Sequence, residues 1–122
     1  MTVVLDASAI LAFLQDEQGA DVVEEHLVND ARCGAANWAE VAQKIHGAGR
    51  EWSLSRALLA SYGVSVESVT ESDAEWAAAR WRRGEGLSLG DRLCLSLAHR
   101  LQAPALTADA GWGHDEPVRQ IR

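Results

Sequence analysis

The opening stretch limits the fold more than any other part of the chain. Thr2 to Leu5 is a short, β-branched apolar run, and it stops abruptly at Asp6-Ala-Ser8 before the apolar, helix-like stretch Ala9 to Leu14. A β-branched apolar run passing into a helical spacing reads as strand, loop and helix within fourteen residues. The same alternation continues. Gly19 breaks the pattern, and Val22, Val23, His26 and Leu27 recur at helical spacing on a second helix. Arg32 to Ala35 is the second strand expected, after which Asn37 reads as an N-cap with Glu40 three residues on, opening a helix from Trp38 to His46.

Gly47 and Gly49 close that helix, and another runs through Trp52, Leu54, Leu58 and Leu59 to Gly63. Val64 to Val69 alternates as a third strand. Ser72 and Glu75 form a capping-box pattern for a helix carrying Trp76, Ala79 and Arg80 to a close near Gly84. Leu93, Cys94, Leu97, Ala98 and Leu101 mark a helix opened by Asp91, Pro104 separates it from the short strand Ala105 to Thr107, and Val118 to Ile121 adds an edge strand. Strands separated by helices at these intervals indicate crossover units. The expectation is an α/β domain in three layers, α/β/α, with a central, mostly parallel sheet of four or five strands.

A chain of 122 residues matches one domain, and no linker, repeat or low-complexity stretch divides it, so residues 1–122 are expected to form one unit. The first residues lack the basic region of a signal peptide, and no apolar run approaches the ~18 residues of a membrane span. Cys33 and Cys94 are far apart and fit reduced, buried thiols better than a disulfide framework. A cytoplasmic protein without membrane attachment is the expectation.

In parallel sheets ligands bind beyond the carboxyl ends of the strands. Asp6 follows the first strand and Asp109 the strand ending at Thr107; Glu40 lies one turn into the helix after the second strand, and Asp91 opens the helix feeding the fourth. Ser8 and Thr107 add hydroxyls beside Asp6 and Asp109. Taken singly, each acid has a simpler account: Asp6 or Ser8 caps a helix, Glu40 pairs with Asn37, Asp91 with Ser88, and Asp109 makes a turn. Capping, however, does not require four acids to gather at one end of a sheet, where their repulsion calls for a cation. Hard cations such as Mg2+ prefer such oxygen ligands.

Four segments together resemble the PIN-domain nucleases, and in particular the VapC-type toxins of bacterial toxin-antitoxin pairs. They are Val3-Val-Leu-Asp-Ala-Ser-Ala-Ile10, Asn37-Trp-Ala-Glu-Val41, Leu87-Ser-Leu-Gly-Asp-Arg-Leu-Cys-Leu-Ser-Leu-Ala98 and Ala105-Leu-Thr-Ala-Asp-Ala-Gly-Trp112. The resemblance spans essentially the whole chain. It implies Mg2+- or Mn2+-dependent cleavage of single-stranded or looped RNA, with Asp6, Glu40, Asp91 and Asp109 at the family's acidic positions and Ser8 and Thr107 as accessory hydroxyls. Asp6 and Asp91 are then the primary metal ligands, and Glu40 and Asp109 ligands or orienters of water. A cognate antitoxin covering the acidic groove and a homodimer are implied in the same way. Gly111 departs from the pattern, since these toxins often carry Arg or an aromatic residue there.

A net charge of -7 argues against a general nucleic-acid binder. If two divalent cations neutralised the four acids, 14 acids would face 11 bases, leaving a net charge of about -3. Arg80, Arg82 and Arg83, with Arg50 and Arg56, could contact phosphates, although a solvated helix end is the favoured account of the cluster, since basic residues stabilise helix C-termini. The four histidines show no ligand spacing, which removes a zinc site, and His114-Asp115 reads as a solvated turn. The tryptophans occupy helical apolar positions and are assigned to core or interface. Two other classes compete. A phosphoryl-transfer domain of receiver or haloacid-dehalogenase type also places Asp after its first strand, but the latter needs Asp where Ser8 stands, and Lys44 is the only lysine. A non-catalytic module would use the acids to bind a partner's arginines.

Overall fold

The computed structural model describes residues 1–122, and its order of elements follows the alternation in the sequence. Strands β1 (Thr2–Leu5), β2 (Asp30–Gly34), β3 (Ser65–Glu67), β4 (Ala105–Thr107) and β5 (Val118–Gln120) form one sheet in the order β3-β2-β1-β4-β5, every pair parallel. Helices α1 (Ala7–Leu14), α2 (Ala20–Leu27), α3 (Ala35–Gly47), α4 (Trp52–Ser61), α5 (Glu71–Ala79) and α6 (Leu89–Leu101) connect them.

The central strand explains the layers. Val3 and Leu5 point to one face, where Ile10, Leu11, Val23, Leu27, Val41, Ile45 and Leu59 from α1 to α4 pack against them. Val4 points to the other, against Cys94, Leu95, Leu97 and Ala98 of α6, with Trp76 of α5 at the margin. All three strand residues are fully buried, as a two-faced strand requires. The expected three-layer fold is therefore present, with five strands. No helix is long and apolar enough to cross a membrane.

The differences from the sequence reading have identifiable causes. β2 starts two residues earlier than expected because Asp30 pairs with Thr2, both through the ladder and through a side-chain hydrogen bond of 2.8 Å. β3 keeps only three residues of the expected six; it is an edge strand, and Val66 and Val69 are exposed. α3 leaves β2 without a loop, capped at Gly34, so Asn37 is not its N-cap but a buried residue of its first turn. The expected Ser72–Glu75 box is replaced by Thr70–Asp73, whose carboxylate is drawn inward by Arg100 and Ser96. That helix ends at Ala79, so Arg80, Arg82 and Arg83 lie beyond it: Arg80 pairs in two hydrogen bonds with Glu85, and Arg83 stacks 5.8 Å from the centre of the Trp81 ring. Trp81 is exposed and outside any helix, unlike the placement expected, whereas Trp112 is buried in a 3-10 turn.

Candidate metal centre

The strand order reverses across the β1–β4 pair, because β2 lies on one side of β1 and β5 on the other side of β4. A crevice opens beyond the carboxyl ends of strands at such a point. Asp6 follows β1 and Asp109 lies two residues past β4, so the topology alone delivers both to this crevice.

Asp6 forms its floor. It is 4% exposed and caps α1, accepting the Ala9 N–H at 2.8 Å through Oδ1. Ser8 donates to the same carboxylate at 2.7 Å, and Thr107 donates to Oδ2 at 2.6 Å. Each hydroxyl is itself oriented from behind: Ser8 Oγ accepts the Ala108 N–H and Thr107 Oγ1 accepts the Asp109 N–H. Two accessory hydroxyls therefore converge on one carboxylate, with Thr107 serving Asp6 rather than the Asp109 side chain. Burial pushes the Asp6 carboxyl up; the hydrogen bonds from Thr107, Ala9 and Ser8 pull it down, the Asp91 charge nearby raises it again, and it settles at about 6.

Glu40 and Asp91 are brought to the same end by the packing of α3 on α6. Asn37 donates to Glu40 Oε1 at 2.8 Å and to the Gly90 carbonyl at 3.2 Å, tying the two helices together beside Asp91. Asp91 is half-buried at the third residue of α6 and forms a reciprocal capping box with Ser88. The charges of Asp6, Glu40 and Asp91 all act on buried Cys94, and those of Asp6 and Glu40 on Cys33; burial, first, and these acids raise both thiols well above the usual range. Both cysteines are free but buried, and with their thiols held protonated they serve as inert packing.

Asp109 is the outlying member. Its backbone is tied to Thr107, but its exposed carboxylate turns to the Gly111 N–H at 2.8 Å. The small residue at 111 has a geometric consequence: a methyl group there would stand 3.0 Å from Asp109 Oδ1. The structure thus places the four acids at one end of the sheet, with Asp6 buried, Asp91 half-buried and Glu40 and Asp109 exposed on the rim, and capping roles are present for Asp6, Asp91 and Asp109 as well.

No three His, Cys, Asp or Glu groups stand close enough to form a ready cation cage. The donor set still suits a hard divalent ion. All donors are oxygens, and none of the four acids takes part in any of the six ion pairs of the chain. Every other strongly buried carboxylate is paired: Asp73 is bound by Arg100. A buried carboxylate without a basic partner is costly to keep ionised, and oxygen donors of this kind suit a hard divalent cation.

A fully parallel sheet between helical layers, with acids at its switch point, defines an α/β class of protein. Within it, the model of the PIN domain matches residues 3–114, and the chain belongs to the PIN-domain family. It is similar to Ribonuclease VapC42 of Mycobacterium tuberculosis, 33% identical over 125 residues that cover 93% of this chain and 95% of the relative. Among solved structures it resembles a toxin-antitoxin complex from Klebsiella pneumoniae, with a TM-score of 0.81 and 16% identity over 98% of both chains. It also resembles VapC20 of Mycobacterium tuberculosis, a Sarcin-Ricin loop cleaving toxin, with a TM-score of 0.67 and 14% identity over 87% of both chains.

The role of Asn37 and the reason for Gly90 are not legible in the sequence. Asn37 carries a signal, its place three residues before Glu40, but that spacing fits an N-cap equally. Gly90 carries none: its importance depends on where Glu40 comes to rest.

Proposed function

We propose that this chain is a divalent-metal-dependent endoribonuclease, the toxin of a toxin-antitoxin pair, acting on single-stranded or looped RNA with Mg2+ or Mn2+. The observation that carries this reading is Asp6, a buried carboxylate with no basic partner and with both oxygens fixed by Ser8, Thr107 and Ala9. The VapC ribonuclease relatives support the RNA substrate.

Asp6 and Asp91 are the primary ligands in this reading, with Glu40 and Asp109 as outer ligands or orienters of water. Bound divalent cations supply Lewis acidity that makes water nucleophilic and stabilises the leaving oxygen of a phosphodiester. The chain's own contribution is position. Ser8 and Thr107 fix the Asp6 oxygens, the α3–α6 contact carries Glu40 to Asp91, and the exposed rim leaves room for a strand of RNA. Asp91 and Asp109, whose capping bonds are exposed, would turn from those bonds to hold the ion.

The relatives and the toxin-antitoxin complexes support a cognate antitoxin as partner. An antitoxin arginine would displace metal through charge-assisted bonds to these carboxylates. A homodimer, a cytoplasmic location and a single PIN domain over residues 1–122 belong to the same proposal. Exposed Leu54 and Leu58, one turn apart on α4, suit a protein interface.

The test is cleavage of structured RNA by antitoxin-free wild type and by Asp91→Asn, in Mg2+, in Mn2+ and in chelator. Cleavage by wild type alone, abolished by chelator, is the expected result. Undiminished metal-dependent cleavage by Asp91→Asn removes the ligand assignment. Absence of both cleavage and metal binding in the wild type leaves the acids as caps and favours the non-catalytic interaction module.

A further inference from the structure

We infer that Asn37 is a positioning residue, which holds Glu40 against the first turn of α6, and that residue 90 must be glycine to leave room for the carboxylate so held. The inference rests on the nuclease reading for its catalytic meaning, but its geometry stands independently.

Asn37 is 2% exposed, an unusual depth for an amide on the first turn of a helix. One face of that amide accounts for the placement. Its Nδ2 donates to Glu40 Oε1 at 2.8 Å within α3 and to the Gly90 carbonyl at 3.2 Å across to α6. The two protons of one NH2 group thus join the Glu40 carboxylate to the residue preceding Asp91. Glu40 itself is exposed, and its flexible side chain would otherwise sample many rotamers. Asn37 Oδ1 has no partner although it is buried. The amide is therefore not buried for the sake of general hydrogen bonding; its donor end alone is employed.

Gly90 supplies the second, independent observation. It is helical, with no unusual backbone angle, so alanine there would ordinarily stabilise α6 by up to about 1 kcal/mol. A Cβ at this position would stand 2.7 Å from Glu40 Oε1 and 3.7 Å from Asn37 Nδ2. Contact at 2.7 Å forces the flexible end of Glu40 to move, at little cost to folding. The absent side chain at 90 is the space in which the held carboxylate lies.

The experiment compares Asn37→Ala, Gly90→Ala, Glu40→Gln and the double variant Asn37→Ala/Glu40→Gln. Two readouts are used: Mn2+ affinity by calorimetry without RNA, and the Glu40 side-chain 13C carboxyl resonance of the metal-free protein. Both Asn37→Ala and Gly90→Ala are expected to shift that resonance and to weaken Mn2+ binding roughly 10-fold, the usual size for loss of a group that orients a ligand. Because Asn37 acts through Glu40, adding Asn37→Ala to Glu40→Gln is expected to change affinity no further. An unmoved Glu40 resonance in both single variants overturns the inference, as does a double variant that loses the full additional factor. If wild type binds no Mn2+, the nuclease reading fails instead, and the resonance alone decides whether Asn37 positions Glu40.

Discussion

Replacing Asp6 by Asn should make the metal-free protein more stable at neutral pH while abolishing its metal response. In the folded chain the Asp6 carboxyl is held at about 6, against 3.8 when it is free of the fold. Between roughly pH 4 and pH 6 the unfolded chain gives up this proton and the folded chain keeps it, so folding loses stability as pH rises through that window. The loss is complete above the folded value. About two pH units at about 1.4 kcal/mol each give about 3 kcal/mol, and Asp6 is buried enough that solvent screening reduces this little. Asn offers one acceptor oxygen to the Ala9 N–H and Ser8 hydroxyl, but must turn its NH2 toward Thr107, which returns part of the gain. The expected net stabilisation at pH 7.5 in chelator is about 1–3 kcal/mol. Urea unfolding of both proteins measures it, as a rise in midpoint on the order of 1 M. The difference should shrink toward zero by about pH 4, and Mg2+ should raise the wild-type midpoint only. A variant less stable than wild type at pH 7.5, or a difference that does not change between pH 4 and 7, would refute the reasoning.

Thr107→Val keeps the shape of a fully buried residue and removes one hydroxyl. It should cost about 1–2 kcal/mol in thermal unfolding, since the Asp109 N–H loses its acceptor, and should lower cleavage on the order of 10-fold by freeing an Asp6 oxygen; wild-type cleavage would dismiss the role given to Thr107. Asp73→Ala removes the Thr70 cap bond and leaves Ser96 and Arg100 without their acceptor, for a loss of about 2–4 kcal/mol by denaturant titration. Burial raises the Asp73 carboxyl, but Arg100, the Thr70 N–H and Ser96 outweigh it and hold it at about 2. Its contribution is therefore present above about pH 4 and lost as pH falls toward 2, and the variant should lack that part of the acid transition; equal acid sensitivity in both proteins would contradict it.

The features that local spacing controls were legible before any coordinates. β1, the helix face of Leu93, Cys94 and Leu97, and the placement of Asp6 and Asp109 after strands follow from apolar period and strand ends. The boundaries that depend on tertiary contact were not. Asp73, rather than Glu75, completes the cap of α5 because Ser96 and Arg100 draw it inward from another helix. Asn37 resembles an N-cap in sequence, yet its amide is taken by Glu40 and by a carbonyl 53 residues away. Thr107 reads as a neighbour of Asp109 along the chain but reaches Asp6 across the sheet, because β1 and β4 are adjacent. The candidate acids could be named from their positions; the order of their exposure, from buried Asp6 through half-buried Asp91 to the rim at Glu40 and Asp109, required the packing.

The most direct test of a shared metal centre is anomalous diffraction from antitoxin-free crystals soaked in Mn2+. The account predicts density about 2.1 Å from carboxylate oxygens of Asp6 and Asp91, with Glu40 turned toward the same ion or its waters and Asp91 released from the Ser88 N–H. Crystals that remain without density in the crevice, with Asp91 and Asp109 still engaged in their caps at saturating Mn2+, would contradict it.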